Sequence, residues 1–203
     1  VAAGALTTLP LSFRAASAQD AKVAWMITDT AGLGDQNFND LANKGGTQAA
    51  TDFGVEWKVT ESADQAAYVP NLTAAADGGA NLVVAVGYLL TDAVTEVAAQ
   101  FPDTSFQLID SVAEGDNVQS VLFKEQQIGY LAGTVAGAVT KTNKLGIVGG
   151  QRIPPVIRYE VGFVAGVKSV NPDAEVIIVY TDTFGDQDLG KQTAAAQFNH
   201  GAD

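Results

Sequence analysis

The sequence contains no cysteine and a single histidine, His200. Without cysteine the chain has no disulfide, no thiolate metal site and no catalytic thiol. One histidine leaves almost no room for a histidine-based catalytic triad or for a metal site built from several histidines. No Walker pattern and no G-x-S-x-G serine elbow occurs. We therefore expect no cofactor, no bound metal and no catalytic residue.

Positive charge is scarce as well, because 11 Lys and Arg against 23 Asp and Glu give a formal net charge of -12. Binding to nucleic-acid phosphates needs a basic face, so we expect no nucleic-acid partner. The same deficit argues against direct binding to an anionic membrane surface. After the N-terminal segment, no run reaches the ~18 apolar residues that a membrane span needs. Any association with a membrane is expected to be indirect.

Residues 1–20 are similar to the remnant of a secretory signal peptide. Val1–Leu11 is apolar and small, and residues 16–18 give an A-x-A pattern before the polar pair Gln19-Asp20. A ragged N-terminus is the alternative. The signal interpretation predicts a periplasmic or extracellular protein. At the other end, the chain stops at Asp203 directly after a helical pattern, without a closing strand, so we expect a truncated final unit.

From Lys22 onward, strand patterns alternate with helix patterns, which predicts an α/β fold with doubly wound parallel sheets. The predicted strands are 22–28, 55–59, 81–87, 105–109, 118–123 (a strand or a connector), 144–149 and 175–181. The predicted helices are 37–53, 68–77, 91–100, 128–139, 156–170 and 187–200. Because the alternation restarts after about residue 120, we predict an N-terminal lobe of residues 21–120 and a partial second lobe of residues 121–203.

Apolar spacing also predicts which face of a helix is buried. In the first helix the stripe is Phe38, Leu41, Ala42, Gly45, Ala49 and Phe53. In the fourth it is Ile128, Leu131, Ala132, Val135 and Val139. We expect both stripes to face a core.

Polar and aromatic side chains follow the ends of the predicted strands, where a parallel sheet opens its ligand crevice. The candidates are Asp29, Asp35, Phe38, Asn39, Tyr88, Asp110, Arg158 and Phe184. Several have structural alternatives. Asp35 suits a helix N-cap, Phe38 by spacing alone is a core residue, and Arg158 can pair with Glu160. An aromatic ring at Phe184, in a turn-like stretch, points more directly to a ligand.

Ionised Asp29, Asp35 and Asp110 accept hydrogen bonds and disfavour phosphate, whereas aromatic rings stack on flat groups. This combination suggests a sugar or a nucleoside. Gly32-Leu33-Gly34 superficially resembles a dinucleotide fingerprint. We reject that interpretation because Asn37 stands at the third glycine position and Asp35 would repel a pyrophosphate. Paired carboxylates also leave open a secreted α/β enzyme that hydrolyses nucleosides or glycosides, although no nucleophile or tuned acid is evident.

Several short motifs follow one another in order from Lys22 to Asp203. They are Thr28–Gly32 with Asp35–Asn39, Val86–Tyr88, Phe101-Pro102 before Leu108–Asp110, Phe123–Glu125 with Leu131–Gly133, Val148–Gly150, Arg158–Phe163, Asn171-Pro172, and Phe184 before Gly190-Lys191. This series resembles the basic membrane protein family of substrate-binding proteins, of the purine nucleoside receptor type.

The resemblance implies a type I periplasmic-binding-protein fold whose two lobes close on a nucleoside, with a purine expected, and deliver it to the permease of an ABC importer. By motif position, Asp29 would contact the base, Phe38 and Phe184 would stack on its two sides, and Asp110 would hold ribose hydroxyls. Asn39, Tyr88 and Arg158 are the other members of this set of ligand-binding residues.

Two departures from the family stand out. Its members are commonly lipoproteins, whereas this chain has no lipobox cysteine, so a freely secreted protein is expected. The later segment of the family, with further ribose contacts, is absent. Two other functions stay open at this point. One is a binding protein or sensor of the same fold for a sugar or another small neutral ligand, and the other is the hydrolase.

Overall fold

The computed structural model describes residues 22–203, which form seven β-strands and six α-helices. The strands are β1 (Val23–Ile27), β2 (Glu56–Thr60), β3 (Leu82–Val86), β4 (Ser105–Ile109), β5 (Val118–Val121), β6 (Lys144–Gly149) and β7 (Glu175–Tyr180). The helices are α1 (Phe38–Phe53), α2 (Tyr68–Asp77), α3 (Thr91–Gln100), α4 (Glu125–Val139), α5 (Pro154–Val170) and α6 (Gln187–Asn199). Every predicted element is present within a few residues. The signal-peptide interpretation of residues 1–20 lies outside the described residues.

The first five strands form one parallel sheet in the order β2-β1-β3-β4-β5, and β6 pairs in parallel with β7 in a second sheet. These parallel sheets confirm the predicted α/β class. The strand order of the first sheet reverses between β1 and β3, and such a switch point opens a crevice at the carboxyl ends of the strands. The segments that follow β1 and β3 therefore flank the place where a ligand is expected.

Strand β3 is buried on both faces, as its continuous apolar run predicts. Val83 and Ala85 belong to the large core that α2 and α3 complete, together with Ile27, Phe106 and Leu108 of neighbouring strands. Val84 and Val86 point to the opposite face and form a smaller core with Met26, against which α1 packs through Phe38 and Ala42.

Helix α1 is rotated about its axis relative to the predicted apolar stripe. Leu41 is 58% exposed and Phe53 is 79% exposed, whereas Asn39 and Gly46 are buried. The expectation for this face was thus wrong for the larger side chains. The cause lies in β2, where the Trp57 ring lies directly against the helix backbone at Gly46; a Cβ there would approach the ring to 2.0 Å. The same rotation turns Asn39 inward.

Helices α4 and α5 pack through glycines, not through large side chains. A Cβ at Gly129 or Gly133 would lie 2.3 or 2.0 Å from a backbone oxygen of α5, and one at Gly162 or Gly166 would meet α4 equally closely. The backbones are therefore in near contact. The predicted stripe of α4 consequently faces away from α5: Ile128, Leu131, Val135 and Val139 are each more than half exposed. That expectation was also wrong.

The second sheet has a small core of its own, made by Leu145, Val167 and Ala174 with α5 and β7. On the other face of the sheet, Gln197 of α6 is buried and its Nε2 donates to the carbonyls of Ile147 and Ile177. The predicted lobe boundary at residue 120 falls inside β5, one residue before that strand ends; the division itself stays a prediction. None of the helices between residues 22 and 203 is long and apolar enough to cross a membrane.

The close fit of Trp57 on α1 gives a matched pair of variants in adjacent positions. Gly46→Ala is expected to lower the free energy of unfolding by about 1–3 kcal/mol, because the new methyl group overpacks against the indole ring. At Gly45 a Cβ meets nothing within 4 Å, so Gly45→Ala should stabilise the helix by about 0.5–1 kcal/mol. Urea unfolding followed by circular dichroism measures both, and equal effects would contradict the packing assigned to Gly46.

Candidate functional site

A cavity of about 200 Å³ lies at the carboxyl ends of β1, β3 and β4 and against the start of α5. Seven of the eight predicted site residues line it: Asp29, Asp35, Phe38, Asn39, Tyr88, Asp110 and Phe184. The eighth, Arg158, lines an adjoining cavity of about 460 Å³ that shares Tyr88 and Asp110 with the first. The structure thus brings together side chains that are up to 155 positions apart in the sequence, from Asp29 to Phe184.

Asp29 directly follows β1 and is only 6% exposed. Its Oδ1 accepts hydrogen bonds from the Ala31 backbone N–H at 3.0 Å and from Asn39 Nδ2 at 2.8 Å. Burial raises the pKa of this carboxyl, although the bond from Asn39 opposes the shift. Since both bonds use Oδ1, the second oxygen stays available to a ligand.

Asn39 is fully buried, and its neighbours fix the orientation of its amide. Nδ2 donates to Asp29 Oδ1 and, at 3.2 Å, to Asp35 Oδ2. Both partners are carboxylates, which accept and do not donate when ionised, so the nitrogen must face them. The amide oxygen Oδ1 has no hydrogen-bond partner among the described residues. A buried acceptor in this state gains free energy from any ligand donor that reaches it.

Asp35 lies two residues before Asn37, the residue that precedes α1, and its side chain caps the helix. Its carboxylate accepts from the backbone N–H groups of Asn37, Asn39 and Asp40 at 2.7–3.1 Å. Burial acts to raise its pKa, but these bonds outweigh burial and hold the pKa below the usual range. The predicted capping role is therefore present in the geometry, alongside a place on the cavity wall.

The loop before α1 is held by acidic side chains. Asp40 accepts from the backbone N–H groups of Gly34 and Gln36, each at 2.9 Å. Glu61 accepts from the backbone N–H of Leu33 at 2.8 Å. Turns that expose several backbone N–H groups need acceptors, and here carboxylates supply most of them, while the Gly32 N–H donates to the Asp29 carbonyl. The acidity of this stretch is thus partly structural.

Asp110 ends β4 with a left-handed backbone, at φ 73. Its N–H donates to the Val121 carbonyl of β5 at 2.9 Å, whereas its carboxylate accepts no hydrogen bond from the described residues. Burial raises the pKa of this carboxyl to about 6, and the negative charge of Glu125 adds to the effect while Arg158 opposes it. A strained, unpaired acceptor at a cavity wall is typical of a functional position.

The aromatic side chains approach the cavity from both sheets. Phe38 packs on the small core below α1, and its ring edge lies near Gly87. It is therefore both a core residue and part of the cavity wall. Phe184 lies against Gly150, where a Cβ would come within 2.4 Å of its ring. Gly87 has φ 119 and would bring a Cβ to 3.3 Å from Asp29, so a side chain there would enter the site.

Arg158 does not pair with Glu160, which was one sequence-based alternative. Its Nε and Nη2 donate to the two carboxylate oxygens of Glu125 at 2.8 and 3.1 Å, and Glu160 instead accepts from the Tyr180 hydroxyl. Glu125 belongs to the motif Phe123–Glu125 but was not among the residues that the sequence predicted for the site. Sequence reasoning also missed the apolar wall of Ile153, Pro155, Val156 and Tyr159 at the start of α5, for which proximity to Arg158 was the only available signal.

The polar groups of the cavity are mainly hydrogen-bond acceptors, and aromatic rings stand beside them. Among residues 22–203 no group of three acidic or histidine side chains could hold a metal ion. The ionised carboxylates and the free amide oxygen accept hydrogen bonds from hydroxyl or amino groups. Aromatic rings favour a flat partner. The arrangement is therefore suited to holding an uncharged molecule rich in donors.

Comparison with known proteins agrees with this chemistry. Residues 22–203 match the Bmp family, described as "ABC transporter substrate-binding protein PnrA-like". The "CD4+ T-cell-stimulating antigen" of Listeria monocytogenes is 39% identical over 92% of the chain and 54% of its own length. The "ABC transporter nucleoside-binding protein BmpA" of Lactococcus lactis is 36% identical over 91% of the chain and 54% of its own length. The chain thus spans about half the length of these curated relatives.

A solved structure is also similar over most of the chain. It is a solute-binding protein of an ABC transporter system from Aeropyrum pernix, at 33% identity and a TM-score of 0.84. The match covers 89% of this chain and 53% of that one. The fold therefore corresponds to about half of a solute-binding protein of this kind.

The raised pKa of Asp110 predicts a specific pH dependence of stability. The pKa of this carboxyl is about 6 in the folded protein and 3.8 ordinarily, so its ionisation destabilises the fold. The destabilisation is complete above pH 6 and absent below pH 3.8. Asp110→Asn, which also tolerates the left-handed backbone, should raise the melting temperature at pH 7.5 by about 2 °C or more. The gain should disappear toward pH 4. Asp103→Asn, in an exposed turn, is the control, and parallel pH profiles for both variants would contradict the assignment.

Proposed function

The chain belongs to the Bmp family of PnrA-like ABC transporter substrate-binding proteins, and we propose that the full-length protein binds a purine nucleoside and delivers it to an ABC importer. The observation that supports this proposal is the convergence of Asp29, Asn39 and Asp110 with the rings of Phe38 and Phe184 on one cavity. The name of the Lactococcus lactis relative, a nucleoside-binding protein, points the same way. The family binds solutes, so the proposal includes no catalytic step.

We assign the base edge of the ligand to Asp29 and Asn39. Each offers an acceptor, Oδ2 of Asp29 and Oδ1 of Asn39, and neither oxygen has a partner within residues 22–203. Two neighbouring acceptors suit a base edge with two neighbouring donors, as in the N1–H and amino group of guanine. Adenine presents an acceptor beside its amino group. Leaving a buried acceptor unpaired is costly, so guanosine should bind more tightly than adenosine.

The remaining assignments follow from chemistry and position. Phe38 and Phe184 stack on the two faces of the base, and Asp110 accepts from ribose hydroxyls. Asp35 holds the loop and the start of α1 in place, and Tyr88 closes the wall between the two cavities. Arg158 borders Asp110 from the second cavity. Repulsion by Asp29, Asp35 and Asp110 disfavours nucleoside phosphates.

The proposal extends to domain organisation and location. Residues 21–120 and 121–203 would form the first lobe and part of the second, each supplying one of the stacking rings, Phe38 and Phe184. The working place of the protein would be outside the cytoplasm, in the periplasm or the extracellular medium. Its protein partner would be the permease of the importer, and contact with the membrane would pass through that partner alone.

Calorimetric titration of the full-length protein tests the proposed ligand class. We expect binding heat with guanosine and adenosine, and a lower dissociation constant for guanosine. Ribose and guanosine 5′-monophosphate should not bind with comparable affinity. Binding of ribose alone would replace the nucleoside by a sugar. Release of free base during incubation, detected by chromatography, would instead favour the hydrolase.

The stacking role of Phe184 has its own test. Phe184→Ala should raise the dissociation constant for guanosine about five- to 150-fold, since base–aromatic stacking contributes ~1–3 kcal/mol. Phe198→Ala is the matched control, because Phe198 lies on α6 with 64% of its surface exposed. Thermal unfolding checks that both variants fold. An unaltered dissociation constant in Phe184→Ala would remove this ring from the site.

A further inference from the structure

The buried carboxylate of Glu125 lies next to the cavity region of Asp110 and Arg158, and the proposed ligand contacts do not use it. Glu125 is the first residue of α4, and its side chain is 1% exposed, against 39% for its partner Arg158. The two are joined by a bidentate pair, with Nε and Nη2 of Arg158 on the two oxygens of Glu125. This pair links the start of α4 to α5 directly beside Asp110.

Burial explains why the pair is well formed. An ionised carboxylate without solvent is costly unless a cation and hydrogen bonds compensate it. The planar guanidinium supplies two parallel donors, and the N-terminus of α4 adds a favourable dipole. The hydrogen bonds from Arg158 accordingly lower the pKa of the Glu125 carboxyl. Nε and Nη2 of Arg158 therefore both donate to Glu125.

A second carboxylate competes for the same guanidinium. Asp110 and Arg158 line one cavity, and their charges are close enough for Arg158 to lower the pKa of Asp110. Yet both side-chain hydrogen bonds of Arg158 found in the described part of the chain go to Glu125. Asp110 is left without one, which is the state that a ligand-binding acceptor needs.

We propose that Glu125 is a positioning residue for ligand binding: by holding the Arg158 guanidinium, it keeps the Asp110 carboxylate unpaired and available to hydroxyl donors of the ligand. This inference rests on the proposed function, because it takes Asp110 to be a ligand contact. This role differs from a merely structural one. It makes the ionisation of Asp110 and its availability to a ligand depend on Glu125, whose side chain does not line the ligand cavity.

The electrostatic surroundings of Asp110 give this role a measurable sign. The groups that face it are Glu125 from α4, Arg158 and Tyr159 from α5, and Tyr88 from the turn after β3. Loss of the Glu125 charge removes the carboxylate that raises the Asp110 pKa. It also releases Arg158, whose positive charge lowers that pKa. In Glu125→Gln, Arg158 should therefore turn to Asp110, and Asp110 should ionise at lower pH.

The experiment measures guanosine affinity of the full-length protein between pH 4.5 and 8. Wild-type affinity should rise as pH increases through about 6, where Asp110 ionises. In Glu125→Gln the rise should move downward by about one pH unit, and the dissociation constant at pH 7.5 should increase about tenfold. Asp110→Asn should abolish the inflection, which assigns it to Asp110 and not to Asp29.

Two outcomes would overturn the inference. An unchanged profile in Glu125→Gln is one, and weaker binding with the inflection still at the wild-type pH is the other, because a structural defect alone does not move a titration. Should Glu125→Gln fail to fold, Arg158→Gln tests the same arrangement with the opposite sign. It leaves Glu125 facing Asp110 with no cation between them, so the inflection should move above its wild-type position.

The failure of the inference can be separated from failure of the proposed function. The titration of Asp110 also appears without ligand, in the pH dependence of the melting temperature. If wild-type protein binds no nucleoside, the proposed function fails, and the displaced stability profile of Glu125→Gln still reports whether Arg158 turns to Asp110. If nucleoside binds but neither profile moves, the positioning role alone is refuted.

Discussion

The arrangement of the site depends on one amide, that of Asn39, which donates to Asp29 and Asp35 at once. Asp29 follows the interior strand β1, and Asp35 caps α1, so this amide joins the sheet to the helix. Without a donor between them, the buried carboxylate of Asp29 and the partly buried carboxylate of Asp35 would repel each other. The orientation of α1 that turns Asn39 inward also leaves its larger apolar side chains, Leu41 and Phe53, pointing toward solvent.

Much of the fold could be predicted from the sequence because parallel α/β units leave strong local patterns. The continuous apolar run in β3 and the alternation of strands with helices decide the class and the order of elements. The convergence of Asp29, Tyr88 and Asp110 on one cavity could be predicted for the same reason, since each follows a strand. Periodicity identifies elements and their ends, and parallel topology then brings those ends together.

The failures concern contacts that local patterns do not encode. Helix α4 carries an apolar stripe, yet the contact with α5 uses the glycines between those residues, where the two backbones approach each other closely. Gly133, for example, lies so near the Phe163 carbonyl that no side chain would fit. The bridge between Glu125 and Arg158 is equally hidden, as its members are 33 residues apart and each has a nearer charged neighbour in the sequence. Such pairs are decided by tertiary geometry.

The site depends on the nitrogen of the Asn39 amide in a way that the shape of the pocket does not reveal. Deamidation would replace the NH2 group of Asn39 by an oxygen of almost the same size, so the shape of the pocket would be preserved while two donated hydrogen bonds became two repulsions. The carboxylates of Asp29 and Asp35, which the Asn39 amide now separates, would then face a third carboxylate. Exchange of one nitrogen for one oxygen, with no change in the outline of the pocket, would thus be enough to disrupt the arrangement of the site.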